Sequence, residues 1–206
     1  MTIRQPHPSD ESEVLKLLSA VDFDAPASVA ASARLITHDV SLPPGNGHGQ
    51  AWVAEANATV VGVLHAAPPL RWSAHLDMLT PEERSHVADR LVQVEALSVA
   101  PSARGHRLGQ RLVDEASTRY RALGYRLIIG NFSTSQPHLV SYYQRQGFTV
   151  LKAGEPITFY YNDSSALQCP IRDEGIQMWK PLHPDVHVEY NLTAQGRLPF
   201  LMNVFA

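Results

Sequence analysis

The sequence of 206 residues holds one cysteine, Cys169. A lone cysteine excludes an internal disulfide framework and argues against a thiolate metal site. An excess of one charge is also missing. Lys and Arg number 17, Asp and Glu 20, for a formal net charge of −3. That balance leaves no footprint for nucleic acid or an acidic membrane. No apolar run approaches the roughly 20 residues that span a bilayer. The opening residues are polar, without the apolar stretch of a secretory leader. A soluble, cytoplasmic protein with neither a nucleic-acid nor a membrane partner is therefore expected. Ten histidines are present, but His38, His48, His65, His75 and His86 are scattered. No His-Glu-x-x-His or Cys–His spacing occurs, so no metal is expected. Cys169 stands before Pro170 in a loop-like stretch without a catalytic partner and reads as structural. Asn191-Leu192-Thr193 matches a glycosylation acceptor but is discounted for want of a leader.

The sequence does carry enough apolar material for a sizeable core, with 44% hydrophobic and 18% charged residues. That suits one compact domain, here placed at residues 1–182. Residues 183–206 read as a C-terminal extension with no clear period. Its Leu198, Phe200, Leu201, Val204 and Phe205 suggest packing on the domain or on a partner, a homodimer being the simplest.

Periodicity predicts a strand over Thr2–Gln5, then a helix capped by Ser9 with Asp10, Glu11 and Glu13 in its first turn. Val14, Leu17, Leu18 and Val21 share one face of that helix. Pro26 opens a second helix, with Val29, Ala33 and Ile36 on one face. Val40–Gln50, rich in proline and glycine, is a loop. Ala51–Glu55 and Thr59–Ala67 flank an Asn57-Ala58 turn, a hairpin pattern. Thr80-Pro81-Glu82-Glu83 is a helix start. Leu91–Val99 is a strand and Arg107–Leu123 a helix, closed by Gly124. A strand over Arg126–Phe132 and a helix over His138–Gln146 follow, the latter stopped by Gly147. Phe148–Leu151, Ile157–Tyr161 and Ile176–Lys180 are further strands. Strands and helices alternate through the centre, which implies an α/β fold with a mixed sheet and local parallel pairing.

One segment carries chemistry. Leu97 to Gln110 runs from a strand end, through Arg104-Gly105-His106-Arg107-Leu108-Gly109, into an amphipathic helix. Free amides at a helix start suit an anion. Gly105 and Gly109 remove side chains where a phosphate would approach, and Arg104 and Arg107 add charge. From the glycine spacing alone, an ordinary strand-to-helix turn with surface arginines is the stronger reading. The segment lacks the Gly-Lys-Ser/Thr ending of a Walker loop and does not fit Gly-x-Gly-x-x-Gly.

Val-x-Pro-x-x-Arg-Gly-x-x-x-Gly resembles motif A of the GNAT superfamily of N-acetyltransferases, with Arg107 in place of the family's middle glycine. Tyr143-Gln144-Arg145-Gln146-Gly147-Phe148 is similar to the ending of its motif B, one strand and one short helix later. The resemblance covers roughly residues 2–180 and implies a GNAT-type mixed, partly parallel sheet of about six to seven strands flanked by helices. It also implies acetyl-CoA as co-substrate and a small-molecule amine or amino acid as acceptor.

Acyl transfer to an amine needs a base, since an alkyl amine is protonated at pH 7. It also needs a donor for the oxyanion. Period two places Gln93, Glu95, Leu97 and Val99 on one strand face. The resemblance makes Glu95 the base, acting directly or through water; a carboxylate that only orders local hydrogen bonds is the plain alternative. It makes Tyr143 the acid for the leaving thiolate, against a core aromatic packed with Leu139. The resemblance assigns the acetyl carbonyl and pantetheine arm to the backbone of Leu97 and Val99. Phosphates go to Arg104, Gly105, Arg107, Leu108, Gly109 and Gln110, and the pantetheine amide to Ser135 or Gln136. Asn131 and Trp72 are candidates for the acceptor, Trp72 being equally a packing residue under the Pro81 helix. Three other readings stay open: a longer acyl donor, a peptide or protein acceptor, and a non-catalytic module that binds acyl-CoA.

Overall fold

The computed structural model describes residues 1–21, 26–38, 47–162, 165–169, 175–193 and 196–206. Along the chain run β1 (Thr2–Arg4), α1 (Glu11–Leu18), α2 (Pro26–Thr37), β2 (Gln50–Ala56), β3 (Thr59–Ala67), α3 (Leu70–Ser73), α4 (Pro81–Ala88), β4 (Leu91–Val99), α5 (Leu108–Ala122), β5 (Leu127–Ser133), α6 (His138–Arg145), β6 (Thr149–Val150), β7 (Ile157–Asn162), β8 (Ser165–Cys169), β9 (Gly175–Pro181), β10 (His187–Thr193) and β11 (Gly196–Met202). The strand order β1-β2-β3-β4-β5-β9-β6 makes a seven-stranded mixed sheet, and β10-β11-β7-β8 makes a second sheet of four. Of the stretch expected to loop from Val40 to Gln50, residues 40–46 lie outside the described residues and Gln50 already belongs to β2. No helix among the described residues is long and apolar enough to cross a membrane. The chain divides into two compact units, Met1–Ala67 with Val94–Arg119, and Pro68–Gln93 with Tyr120–Ala206.

In the first unit β1, β2 and β3 pair antiparallel. Asn57 and Ala58 both have positive φ, 50° and 59°, the conformation of a two-residue hairpin turn that matches strand twist. Val14, Leu17 and Leu18 of α1 and Ala33 and Ile36 of α2 bury against Val53, Val63 and Ala96. Gly62 allows α5 to lie close on β3. A Cβ there would sit 3.3 Å from Ala54 Cβ and 3.4 Å from Leu112 Cδ1. Buried Leu112, Val113 and Ala116 form the inner face of α5.

Ser9 does not cap α1. Pro8–Asp10 instead forms a short 3-10 turn, and α1 starts at Glu11 without a side-chain cap. The Asp10 carboxylate accepts from the His7 N–H at 2.7 Å and from both Arg4 Nη atoms, at 2.7 and 3.0 Å. Arg4 Nε donates to Glu55 at 2.7 Å. Those Arg4 bonds hold the Asp10 carboxyl below its usual range. The sequence signature was that of a cap; the arginine on β1 draws Asp10 into its own turn.

In the second unit β5 and β9 pair antiparallel with Ile129 opposite Trp179 and Asn131 opposite Gln177. One face of β5, with Leu127 and Ile129, joins Trp72, Ile157, Phe159, Leu167, Val186 and Leu201 in an apolar core. Thr80 and Glu83 cap α4 reciprocally, Thr80 N–H to Glu83 Oε2 at 2.8 Å and Glu83 N–H to Thr80 Oγ1 at 3.3 Å. Three strands lie where the sequence predicts none. Cys169 ends β8 rather than sitting in a loop, and its buried side chain alternates with exposed Gln168. The tail is a hairpin, residues 187–193 paired antiparallel with 196–202, and Leu201 lies opposite Phe159 of β7 in parallel. Pro199 interrupts the polar–apolar alternation of β11, which is why no period showed; it pairs with Tyr190.

Candidate active site

The first unit holds Glu95 and the anion turn. Along β4 the even positions 92, 94, 96 and 98 are buried while Gln93, Leu97 and Val99 are half-buried and Glu95 is exposed. The face predicted by period two is therefore the accessible one. β4 ends at Val99, and the Ala100 N–H bonds the Val61 carbonyl at 2.8 Å. A 3-10 turn, Pro101–Ala103, follows. Arg104 Nε returns to the Val99 carbonyl at 3.2 Å, so this side chain braces the strand end.

Gly105 has φ 85° and Arg107 φ 57°. Two left-handed residues so close together turn successive amides towards one side, the arrangement of an anion-binding nest. The first intrahelical bond of α5 is Arg111 N–H to the Arg107 carbonyl, 3.0 Å. The amides of Leu108, Gly109 and Gln110 precede it and point out of the helix start. Leu108 and Gly109 are buried; Arg104, Gly105, Arg107 and Gln110 are exposed. The turn thus presents amides and two cations to solvent over an apolar footing. The sequence departure at Arg107 gains a physical meaning: the position is left-handed, where glycine is free of strain and arginine is not.

The second unit holds the other candidates. Tyr143 of α6 is buried at 7% exposure. Its ring stacks on Phe132 at 5.7 Å and meets Tyr142 and Phe148 edge-on at 5.0 and 5.4 Å. Burial, and after it the neighbouring Tyr142, pushes the Tyr143 hydroxyl well above its usual value. Gly147 ends α6 at φ 81° and the Phe148 N–H closes back on the Tyr143 carbonyl at 3.1 Å. Ser135 and Gln136 sit in the turn between β5 and α6. Ser135 Oγ lies 2.8 Å from Ser133 Oγ, and the Gln136 N–H bonds the Ser133 carbonyl at 3.0 Å.

Asn131 is exposed on β5, opposite Gln177 of β9. Trp72 is buried, its indole N–H donates to the Gln168 carbonyl at 2.9 Å, and its ring lies 5.6 Å from Phe159. Gln177 was not singled out in the sequence. It is 4% exposed, its Oε1 accepts from the Ile157 N–H at 2.7 Å and its Nε2 donates to the Cys169 carbonyl at 3.3 Å. A glutamine inside the apolar run Ile176–Trp179 was the available signal. Among the described residues no cluster of three or more His, Cys, Asp or Glu could hold a metal ion.

Residues 47–150, just over half of the chain, match the family model described as "Acetyltransferase (GNAT) domain". No curated protein matches the chain. Among solved structures, the chain is similar to a GNAT superfamily phosphinothricin acetyltransferase from Sinorhizobium meliloti, in complex with AcCoA. The identity is 19% and the TM-score 0.56, over 87% of each chain. A putative acetyltransferase of the GNAT family from Desulfovibrio desulfuricans aligns at 17% identity and TM-score 0.59, over 88% of this chain and 99% of that one. A diaminobutyrate acetyltransferase from Paenibacillus lautus, in complex with L-2,4-diaminobutyric acid and coenzyme A, aligns at 17% and 0.53, over 90% and 98%.

Proposed function

We propose for this chain, which belongs to the GNAT acetyltransferase family and is an acyl-CoA-dependent N-acetyltransferase, that its acceptor is the primary amine of a small molecule or amino acid and that transfer is direct. The observation that carries the cofactor part is the turn after β4. Gly105 and Arg107 in left-handed conformation lead into the open start of α5 beside two exposed arginines, which suits a pyrophosphate.

In this reading the neutral amine attacks the thioester carbonyl carbon. Glu95, exposed on β4, accepts the proton the amine must lose, directly or through water. The backbone of Leu97 and Val99 holds the acetyl carbonyl and the pantetheine arm, and a backbone N–H there stabilises the oxyanion. The tetrahedral adduct collapses, the C–S bond breaks, and the sulfur leaves as a thiolate that takes a proton from Tyr143. Burial sharpens that last role. A hydroxyl held above its ordinary value keeps its proton at neutral pH, so Tyr143 acts first as a hydrogen-bond donor to the departing sulfur. Ser135 or Gln136 bonds the pantetheine amide. Asn131 contacts the acceptor. Trp72, with its N–H already bonded, supports that region by packing.

The test is thiol release from acetyl-CoA with a panel of amino acids, diamines and peptide N-termini. Release with small amines supports the reading. Release only with peptides moves the acceptor to a polypeptide, and faster release from succinyl- or malonyl-CoA moves the donor. Coenzyme A binding without turnover on any amine would leave a binding module instead.

A further inference from the structure

The two sheets differ in how their edges are guarded. β1 and β6, the ends of the seven-stranded sheet, have three and two residues. Such short edges offer little to pair with. β8, one edge of the four-stranded sheet, buries Leu167 and Cys169 and shows Ala166 and Gln168 to solvent. β10, the other edge, is different. It has seven residues, all paired with β11 on its inner side and without a register shift. It carries no proline or lysine, the usual guards of an open edge. Val188 packs against the core, but further along the same face Tyr190 is 58% exposed and Leu192 88% exposed.

The sequence of β10, His-Val-Glu-Tyr-Asn-Leu-Thr, is palindromic in pattern: apolar at 188, 190 and 192, polar at 187, 189, 191 and 193. We infer that β10 pairs antiparallel with β10 of a second copy about a two-fold axis at Tyr190, joining two four-stranded sheets into one of eight strands. In that register Val188 faces the partner's Leu192, Tyr190 the partner's Tyr190, and Glu189 the partner's Asn191. Directly opposed residues share a sheet face, so the apolar rows become continuous. Other registers are worse. A one-residue slip sets the apolar row against the polar one. An axis at Glu189 opposes two carboxylates, which destabilises. An axis at Asn191 leaves His187 and Val188 unpaired. A two-fold arrangement also uses the same surface on both copies, as closed dimers do.

The experiment is sedimentation velocity of the full chain across a micromolar concentration series. A dimer is expected, and the double variant Tyr190→Lys/Leu192→Lys, which places like charges across the axis, is expected to sediment as a folded monomer whose melting temperature no longer depends on concentration. Should that variant fail to fold, mild oxidation of variants with one cysteine added beside the buried Cys169 decides. Tyr190→Cys should give a covalent dimer, and Glu189→Cys, whose opposite residue is Asn191, should not. A monomer throughout the wild-type series, a dimer that survives both lysines, or cross-linking at 189 in preference to 190 would overturn the pairing. The readout is mass, so it stands or falls apart from acetyl transfer.

Discussion

Arg107 allows the anion turn to be tested in two separable parts, backbone and charge. At φ 57° a residue with a Cβ bears about 1–2 kcal/mol of strain. Alanine keeps that strain and drops the charge. Glycine drops both, at an entropic cost of about 0.5–1 kcal/mol on folding. Arg107→Ala should therefore melt close to wild type, since the side chain is exposed. Arg107→Gly should be the more stable of the two by up to about 1 kcal/mol, a rise of about 2–4 °C for a chain of this size. Coenzyme A affinity should follow the charge instead. Both variants lose one exposed cation, worth about 1 kcal/mol, or about fivefold in Kd, at low salt. The difference should shrink as ionic strength rises. Differential scanning calorimetry and calorimetric titration with coenzyme A measure the two parts independently. Alanine melting at or above glycine would refute the left-handed assignment. Unchanged coenzyme A affinity in both variants would remove Arg107 from the anion site.

Glu95→Gln is expected to lower kcat by about 10²- to 10⁴-fold with little change in the KM for acetyl-CoA, and raising the pH towards the amine's own pKa should recover part of the loss, because more acceptor is then neutral; an unaltered rate takes Glu95 out of the mechanism. Tyr143→Phe keeps the ring packed on Phe132 and Phe148, so melting should hold while kcat falls, whereas Tyr143→Ala should cost about 3–5 kcal/mol in stability; a kcat for Tyr143→Phe equal to that of the wild type would make the residue a packing aromatic. Burial pushes His65 on β3 down to about 4. The unfolded chain binds this proton below about 6.5, while the folded chain refuses it until about 4, so stability falls as pH drops through that window, by about 3 kcal/mol in full. Urea midpoints between pH 7 and 4 should show this slope, and His65→Leu should flatten it; a slope that persists belongs to another group.

What could be read in the sequence tracks where the deciding interactions are local. Thr80-Pro81-Glu82-Glu83 predicted a capped helix because its partners lie three residues apart. β3 and β4 were placed at their observed bounds because their apolar pattern is uninterrupted. The cap at Ser9 misled because its outcome depends on Arg4 and Glu55, and Glu55 lies 51 residues from Arg4. The tail hairpin escapes notice because, although β10 alternates, Pro199 breaks the matching alternation of β11, and a hairpin is recognised by two such runs.

The candidate site divides along the same line. Motif spacing gives the order of Glu95, Arg104–Gly109 and Tyr143, since a strand, a turn and a helix follow one another in the chain. It is blind to backbone sign and to burial. Nothing in the letters distinguishes an arginine at φ −60° from one at φ 57°, yet that sign decides which way the following amides face. Nor do they show that the Tyr143 hydroxyl is held above its ordinary value by burial, which in the proposed mechanism makes it a donor that keeps its proton until the sulfur is charged. The family's glycine at the Arg107 position thus reads as a requirement on the backbone alone. A side chain there is tolerated as long as the turn remains left-handed, and the arginine adds a charge that glycine cannot.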